Sequence, residues 1–127
     1  GKGGIGKSTV SSHLSVCFAK MNRRVLLVGC DPKTDLSMRL IGRRKPRTVI
    51  QNLVHGDGMD LSGVIQRSPS GVDLLETGGP EPGTGCAGRG VATLCQLLED
   101  QPAVLDAYDV ILFDVLGDLV CGGFAMP

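Results

Sequence analysis

The chain has 127 residues, of which 42% are hydrophobic, and this is enough for one domain of ordinary size with a buried core. Lys+Arg and Asp+Glu number 13 each, so the formal net charge is zero and no global field favours nucleic acid or an anionic membrane. The apolar runs are too short to span a bilayer and no signal-peptide pattern is present, so we predict a single cytoplasmic domain over residues 1–127.

The first eight residues, GKGGIGKS, fit the phosphate-loop pattern G-x-x-x-x-G-K-[ST] without a mismatch. Backbone N–H groups of such a loop turn towards phosphate oxygens, and glycines leave room for that approach. Lys7 is expected to neutralise the β- and γ-phosphates, and Ser8 to bind Mg²⁺. We therefore predict a Mg-ATP site formed by the loop and the residue after it: Gly1, Lys2, Gly3, Gly4, Ile5, Gly6, Lys7, Ser8 and Thr9.

Lys2 follows the first glycine, where an ordinary phosphate loop accepts almost any residue. The loop thereby resembles that of the deviant Walker A ATPases, in which this lysine reaches across a dimer interface to the nucleotide of the partner subunit. The alternative is a solvated surface lysine. The resemblance implies a homodimer in which both Lys2 and Lys7 act on the nucleotide.

A phosphate loop joins a buried strand to a helix, so a strand is expected upstream of residue 1. The chain stops at Pro127, just after another motif. We expect a fragment that lacks the first strand and the C-terminal part of its fold.

The apolar patterns after the loop alternate between helices and strands. Residues 7–22 predict a helix with one buried stripe, and residues 24–30 a buried parallel strand. A short helix is predicted over 48–54, a strand over 72–77, and a helix from 91 to about 100 after a Gly- and Pro-rich loop over 78–90. Within 108–114 a strand of four apolar residues is predicted that ends in an aspartate. The stripe of the first helix consists of Val10, Leu14, Cys17, Phe18 and Met21. This order predicts an α/β P-loop NTPase with a parallel sheet flanked by helices.

Aspartates follow two of the predicted strands. Asp31 and Asp35 come after the first, and Asp114 ends the apolar run VILFD in the Walker B form. Open α/β sheets bind ligands at the carboxyl ends of their strands. Asp114 is therefore predicted to hold Mg²⁺ directly or through water, and Asp31 and Asp35 to meet Mg²⁺ or the attacking water. An Asp-Pro turn is the alternative for Asp31.

Cys86 and Cys121 differ from the other three cysteines because glycines surround them. Cys17 and Cys95 lie on helix stripes, and Cys30 adjoins a buried strand, so these are predicted to be core residues. Zinc or a [4Fe–4S] cluster usually takes four ligands, and a symmetric dimer would supply two pairs. The alternative is two unrelated free thiols.

The segments GKGGIGKS, GCDPKTD, GGPEPGTGCAGRG and DVLGDLVCGGFAMP together resemble the nitrogenase iron protein family. The resemblance implies a homodimer with one [4Fe–4S] cluster bridged by Cys86 and Cys121 of each subunit. It implies an ATP-dependent reductase that passes single low-potential electrons to the molybdenum–iron, or an alternative, catalytic component of nitrogenase. The implied electron donor is ferredoxin or flavodoxin.

The same resemblance assigns residues to the nucleotide switches. Asp31 and Asp35 match switch I, and Asp114 and Asp118 match switch II, with Asp118 as a candidate general base. Arg89 matches an arginine on the docking face that some members have ADP-ribosylated.

Departures from the family pattern leave other functions open. Val10 stands where close relatives usually have threonine, and residues 40–71 look shorter and more basic than usual. A nitrogenase-like reductase of a tetrapyrrole-reducing system is the main alternative, although Arg89 argues against the protochlorophyllide branch. An iron–sulfur carrier ATPase would be expected to carry CxxC, which is absent. A non-redox, partition-type ATPase switch would leave Cys86 and Cys121 without a role.

Overall fold

The computed structural model describes residues 5–42, 46–55, 60–79 and 87–115. Helices and strands alternate along these segments. In chain order they are α1 (Lys7–Lys20), β1 (Val25–Gly29), α2 (Asp35–Leu40), α3 (Val49–His55), a 3₁₀ turn (Leu61–Gly63), β2 (Gln66–Arg67), β3 (Asp73–Glu76), α4 (Ala87–Asp100), α5 (Pro102–Asp106) and β4 (Val110–Asp114). None of the described helices is long and apolar enough to cross a membrane.

The strands form one sheet in the order β2-β3-β1-β4. β1 pairs in parallel with both β3 and β4, while β2 pairs antiparallel with β3. The sheet is therefore mostly parallel, as predicted, with a short antiparallel strand at one edge. The register sets Gly29 opposite Glu76 on one side and opposite Asp114 on the other, so three strands end in one row.

Each face of the sheet has its own core cluster. Alternate residues of β1 point to opposite faces, and all five are buried. Leu26 and Val28 pack with residues of α4 on one face, whereas Val25 and Leu27 pack with residues of α1 and α2 on the other. The domain is thus a sheet between two helical layers.

The prediction for the buried face of α1 was wrong. Four of the five predicted stripe residues are exposed, and Val10 and Met21 are each 65% exposed. Ser12 and Ser15 are buried instead. Their hydroxyls donate to carbonyls one turn earlier in the helix, at 2.6 and 2.7 Å, so burying them leaves no hydroxyl unpaired. The buried Ser12 and Ser15, together with the partly buried Val16, Phe18 and Ala19, thus form the face of α1 that lies on the sheet.

The four exposed members of that stripe are Val10, Leu14, Cys17 and Met21, while Phe18 is partly buried. Cys17 is therefore not a core residue. The other two predictions for core cysteines are confirmed: Cys30 is 2% exposed, and Cys95 packs partly buried against the core.

The other predicted elements agree with the structure, with one boundary difference, whereas α2, the 3₁₀ turn, β2 and α5 were not predicted. α3, β1, β3 and β4 lie within about a residue of their predicted spans. α4 begins at Ala87, inside the segment predicted to be loop. Gly90 lies in the first turn of α4, and its backbone lies so close to Ile50 and Thr77 that an added Cβ would be 3.3 Å from each side chain. The glycine therefore allows tight helix packing.

Candidate nucleotide site

The amino end of α1 is built to meet an anion. Gly6 precedes the helix with φ 91°, a left-handed conformation in which a side chain would be strained. The first turn, which contains Lys7, Ser8 and Thr9, carries no acidic side chain. The free N–H groups and the helix dipole therefore present positive potential here, which suits a bound phosphate.

Part of the predicted loop lies outside the described residues. Gly1, Lys2, Gly3 and Gly4 fall there, so the role of Lys2 across a dimer stays a prediction. Ile5, the next residue, is 64% exposed.

Asp114 lies beside the first turns of α1. Its carboxyl is 7% exposed at the end of β4, and Oδ1 accepts a hydrogen bond from Ser11 Oγ at 3.4 Å. Ser11 is three residues after Ser8, on the same side of the helix. The carbonyl of Asp114 also accepts from Cys30 N–H at 3.1 Å, which joins the ends of β4 and β1. Sequence reasoning missed Ser11, although its spacing from Ser8 was a usable signal.

Asp31 and Asp35 bracket a tight loop after β1. Asp31 Oδ1 accepts from Lys33 N–H at 2.8 Å, and the Asp31 carbonyl accepts from Thr34 N–H at 3.0 Å. Thr34 has φ 54° and directly precedes α2, which begins at Asp35. Asp31 is half-buried and Asp35 is exposed, so one oxygen of Asp31 serves its own loop and the Asp35 carboxylate stays open to solvent.

Glu76, at the end of β3, is a fourth acidic residue at this edge, which the sequence analysis did not single out. It is fully buried, and Oε1 accepts from Ser37 N–H at 2.9 Å. The pKa of Glu76 is raised to about 7: burial is the largest cause, the bond from Ser37 N–H acts in the opposite direction, and nearby negative charges add to the increase. Those charges belong to Asp31, Asp114 and Asp35. The signal was present: Glu76 ends an apolar run, as Asp114 does.

The described residues contain no group of three acidic, histidine or cysteine side chains that could by itself hold a metal ion. Mg²⁺ in nucleotide sites usually binds through one or two protein ligands plus phosphates and water. Ser8 and Asp114 are the residues of this chain suited to that role. The α1 end and the strand edge therefore fit Mg-nucleotide.

The predicted cluster ligands, Cys86 and Cys121, lie outside the described residues, as does Asp118. Cys86 directly precedes α4, a helix of 14 residues. A helix amino end favours thiolate over thiol, as a cluster ligand requires. The backbone of Arg89 lies in the first turn of this helix.

Comparisons with known proteins agree with this geometry. A family model described as "4Fe-4S iron sulfur cluster binding proteins, NifH/frxC family" matches residues 1–127. Cobyrinic acid a,c-diamide synthase from Mycobacterium smegmatis, solved with an ATP analog and magnesium, is 26% identical with a TM-score of 0.64, over 93% of this chain and 49% of that one.

Two cell-division proteins share the fold. MinD from Aquifex aeolicus is 22% identical with a TM-score of 0.68, over 96% of this chain and 46% of that one. MinD from Pyrococcus horikoshii, complexed with Mg-ADP, is 28% identical with a TM-score of 0.62, over 93% and 47%. The chain spans about half the length of these proteins, and its fold is that of the α/β P-loop NTPases.

Proposed function

The chain belongs to the NifH/frxC family of 4Fe-4S iron sulfur cluster binding proteins, and from this premise we propose that it acts as the ATP-dependent reductase of nitrogenase. In this role a homodimer passes single low-potential electrons to the molybdenum–iron, or an alternative, catalytic component. Ferredoxin or flavodoxin supplies the electrons. The bound [4Fe–4S] cluster provides one-electron storage at low potential.

The contact between Ser11 and Asp114 is the observation that best supports the nucleotide half of this proposal. It sets a carboxylate at the end of β4 beside the amino end of α1. Phosphate binding needs the helix end and Mg²⁺ binding needs the carboxylate. One nucleotide can use both only if they are adjacent, as they are here.

We assign the following roles to the residues of this chain. Lys7 neutralises the β- and γ-phosphates, and Ser8 and Asp114 hold Mg²⁺. Asp31 and Asp35 respond to the γ-phosphate from the loop after β1. Four further roles rest on the family resemblance: Lys2 contacts the nucleotide of the partner subunit, Asp118 orients or deprotonates water, and Cys86 and Cys121 bind the cluster.

We propose that closure of the dimer on ATP is transmitted to the cluster along residues 114–121. The seven steps between Asp114 and Cys121 span at most about 25 Å when extended. A glycine inserted into this segment should leave ATP binding intact and uncouple hydrolysis from electron transfer. Coupling that survives the insertion would contradict a direct lever.

The test of the proposed function is anaerobic acetylene reduction by the full-length protein with a nitrogenase catalytic component stripped of its own reductase. ATP-dependent ethylene formation is expected. The Cys86→Ser variant should lose the cluster signal and ethylene formation, whereas Cys17→Ser should keep both, because Cys17 is an exposed thiol on α1.

Two other outcomes would redirect the proposal. A reducible [4Fe–4S] signal without ethylene would favour the nitrogenase-like reductase of a tetrapyrrole-reducing system. An iron-free, air-stable and active ATPase would favour a non-redox ATPase switch.

A further inference from the structure

We infer that Glu76 is a positioning residue that joins the nucleotide-facing loop after β1 to the segment that leads into Cys86. This inference rests on the proposed function, because it concerns how nucleotide binding reaches a cluster ligand. It adds a second connection, separate from residues 114–121.

The first contact of this joint is the hydrogen bond from Ser37 N–H to Glu76 Oε1, at 2.9 Å between residues 39 apart in sequence. Both residues are fully buried. Ser37 lies in the first turn of α2, two residues after Asp35. The bond therefore fixes the amino end of α2, and with it Asp35, to the end of β3.

The same carboxyl group also rests on β1. Gly29 stands opposite Glu76 in the parallel register, and a Cβ built on Gly29 would overlap the Glu76 carboxyl group. Thr77 N–H donates to the Gly29 carbonyl at 2.9 Å. The end of β1, where the Asp31 loop starts, is thus held to β3 by backbone and side chain together.

The second contact lies at Gly79, three residues beyond the end of β3 at Glu76. A Cβ built on Gly79 would overlap the ring of Pro32, which lies between Asp31 and Asp35. Gly78 has φ +75°, and a Cβ on it would be 2.6 Å from Thr48 Oγ1. The backbone that continues towards Cys86 therefore packs directly on the aspartate loop without intervening side chains.

Because of these contacts, the loop after β1 and the residues that follow β3 can move independently only at a cost in free energy. If Asp31 and Asp35 shift when the γ-phosphate binds, either the bond from Ser37 to Glu76 breaks or the end of β3 moves with them. Cys86 follows Glu76 by ten residues. Glu76 Oε2 has no hydrogen-bond partner among the described atoms, so the bond from Ser37 N–H is the one hydrogen bond that the described residues give this carboxyl group.

The experiment compares Glu76→Met, which keeps side-chain bulk but removes the acceptor, with Glu76→Gln, which keeps an acceptor for Ser37 N–H. The full-length, cluster-loaded protein is mixed with a bipyridine chelator, and the initial rate of iron release is measured with and without Mg-ATP. The ratio of the two rates reports the transmission of nucleotide binding to the cluster. A Mg-ATP titration gives the dissociation constant of each variant.

Glu76→Met should lower that ratio by about fivefold or more, the range of typical coupling between sites, with the Mg-ATP dissociation constant changed less than about threefold. Glu76→Gln should restore most of the ratio. Leu61→Ala is the matched control, because Leu61 is buried in the core on the 3₁₀ turn. It should weaken the fold and leave the ratio unchanged.

A second pair of variants covers the case in which Glu76→Met does not fold. Gly79→Ala should push Pro32 and also lower the ratio, whereas Gly63→Ala, where an added Cβ meets nothing within 4 Å, should not. Hydrogen exchange of the cluster-free protein provides a readout without iron. In the wild type, Mg-ATP should change exchange in the peptide over residues 76–86, and in Glu76→Met or Gly79→Ala it should not.

The outcomes distinguish a failure of the role inferred for Glu76 from a failure of the proposed function. If Mg-ATP changes iron release equally in the wild type, Glu76→Met and Gly79→Ala, the inferred role of Glu76 is wrong and the proposed function stands. A wild type without a cluster, or one whose iron release ignores Mg-ATP, overturns the proposed function and the joint with it.

Discussion

At the residue scale, two acidic side chains end the strands on either side of β1, in opposite surroundings. Asp114 contacts Ser11 at the amino end of α1, where a bound Mg²⁺ ion would compensate its charge. Glu76 lies under α2 with one N–H donor. A buried carboxyl with a single donor favours its neutral form, so Glu76 suits holding a loop rather than binding a cation.

The pH dependence of stability should report this environment. Burial raises the pKa of Glu76 from 4.5 to about 7, so between these values the folded protein binds a proton that the unfolded chain has released. The contribution is fully present below about pH 4.5 and is lost as the pH rises through about 7.

In Glu76→Gln this loss, on the order of 1–3 kcal/mol, should be absent. Urea unfolding of the nucleotide-free protein from about pH 5 to about pH 8 measures it. Parallel stability curves for the wild type and the Gln variant would contradict the raised pKa.

Ser11→Ala should weaken Mg-ATP binding. The variant removes the hydroxyl that donates to Asp114 Oδ1, and loss of such a bond is worth about 0.5–1.5 kcal/mol, or roughly 2- to 12-fold in the dissociation constant. Ser15→Ala is the control, because that hydroxyl bonds within α1. Titration with nucleotide distinguishes them, and equal affinities would exclude a role for Ser11 in orienting Asp114.

At the element scale, α1 is followed by Asn22, a residue with a left-handed backbone conformation. Asn22 has φ 58°, and its N–H donates to Ala19 O at 3.1 Å, while Arg23 N–H donates to Phe18 O at 3.1 Å. These bonds satisfy carbonyls of the last turn. The helix therefore ends at a residue type that tolerates this conformation.

Substitutions at Asn22 should follow this backbone requirement. Asn22→Val should destabilise the protein by about 1–2 kcal/mol, because a β-branched residue is strained at positive φ, whereas Asn22→Gly should change stability by less than about 0.5 kcal/mol. Denaturant unfolding checks both. A Val variant as stable as the Gly variant would show that another conformation ends the helix.

At the scale of the whole molecule, the sheet order brings the site together and leaves one flank apolar. Gly29 is opposite both Glu76 and Asp114, so two acidic residues that are 38 positions apart in the sequence lie at the same edge of the sheet. On the outer face of α1, large apolar side chains remain exposed among the described residues: Val10, Leu14 and Met21. Exposed apolar side chains on one helix face promote association.

Replacing two of these exposed residues should reduce self-association of the 127-residue chain. Val10→Lys combined with Met21→Lys should lower dye binding to apolar surface and the oligomer fraction in sedimentation. The unfolding free energy should change by less than about 1 kcal/mol, because both side chains are 65% exposed. Val16→Lys, which faces the core from the same helix, should unfold the chain. Unchanged association of the double variant would exclude this face as its cause.

Much of the fold was predictable because its signals are local. The aliphatic runs at β1 and β4 and the apolar stripe of α4 each predict a buried element from a pattern that spans only a few residues. The face of α1 was not predictable in this way. The solvent-facing side of α1 carries more large apolar residues than the side that packs on the sheet. Only the packing shows that Ser12 and Ser15 are buried.

The sequence by itself determined the chemistry of the site. The predicted roles depend on backbone conformation and charge within a few neighbouring residues, so a sequence motif is enough to identify them. They concern the glycines of the loop, Lys7, Ser8 and the aspartates that end strands. The tertiary structure alone decided which distant groups meet. The bond from Ser37 to Glu76 and the packing of Gly79 on Pro32 depend on strand order and register, which set distances between residues far apart along the chain.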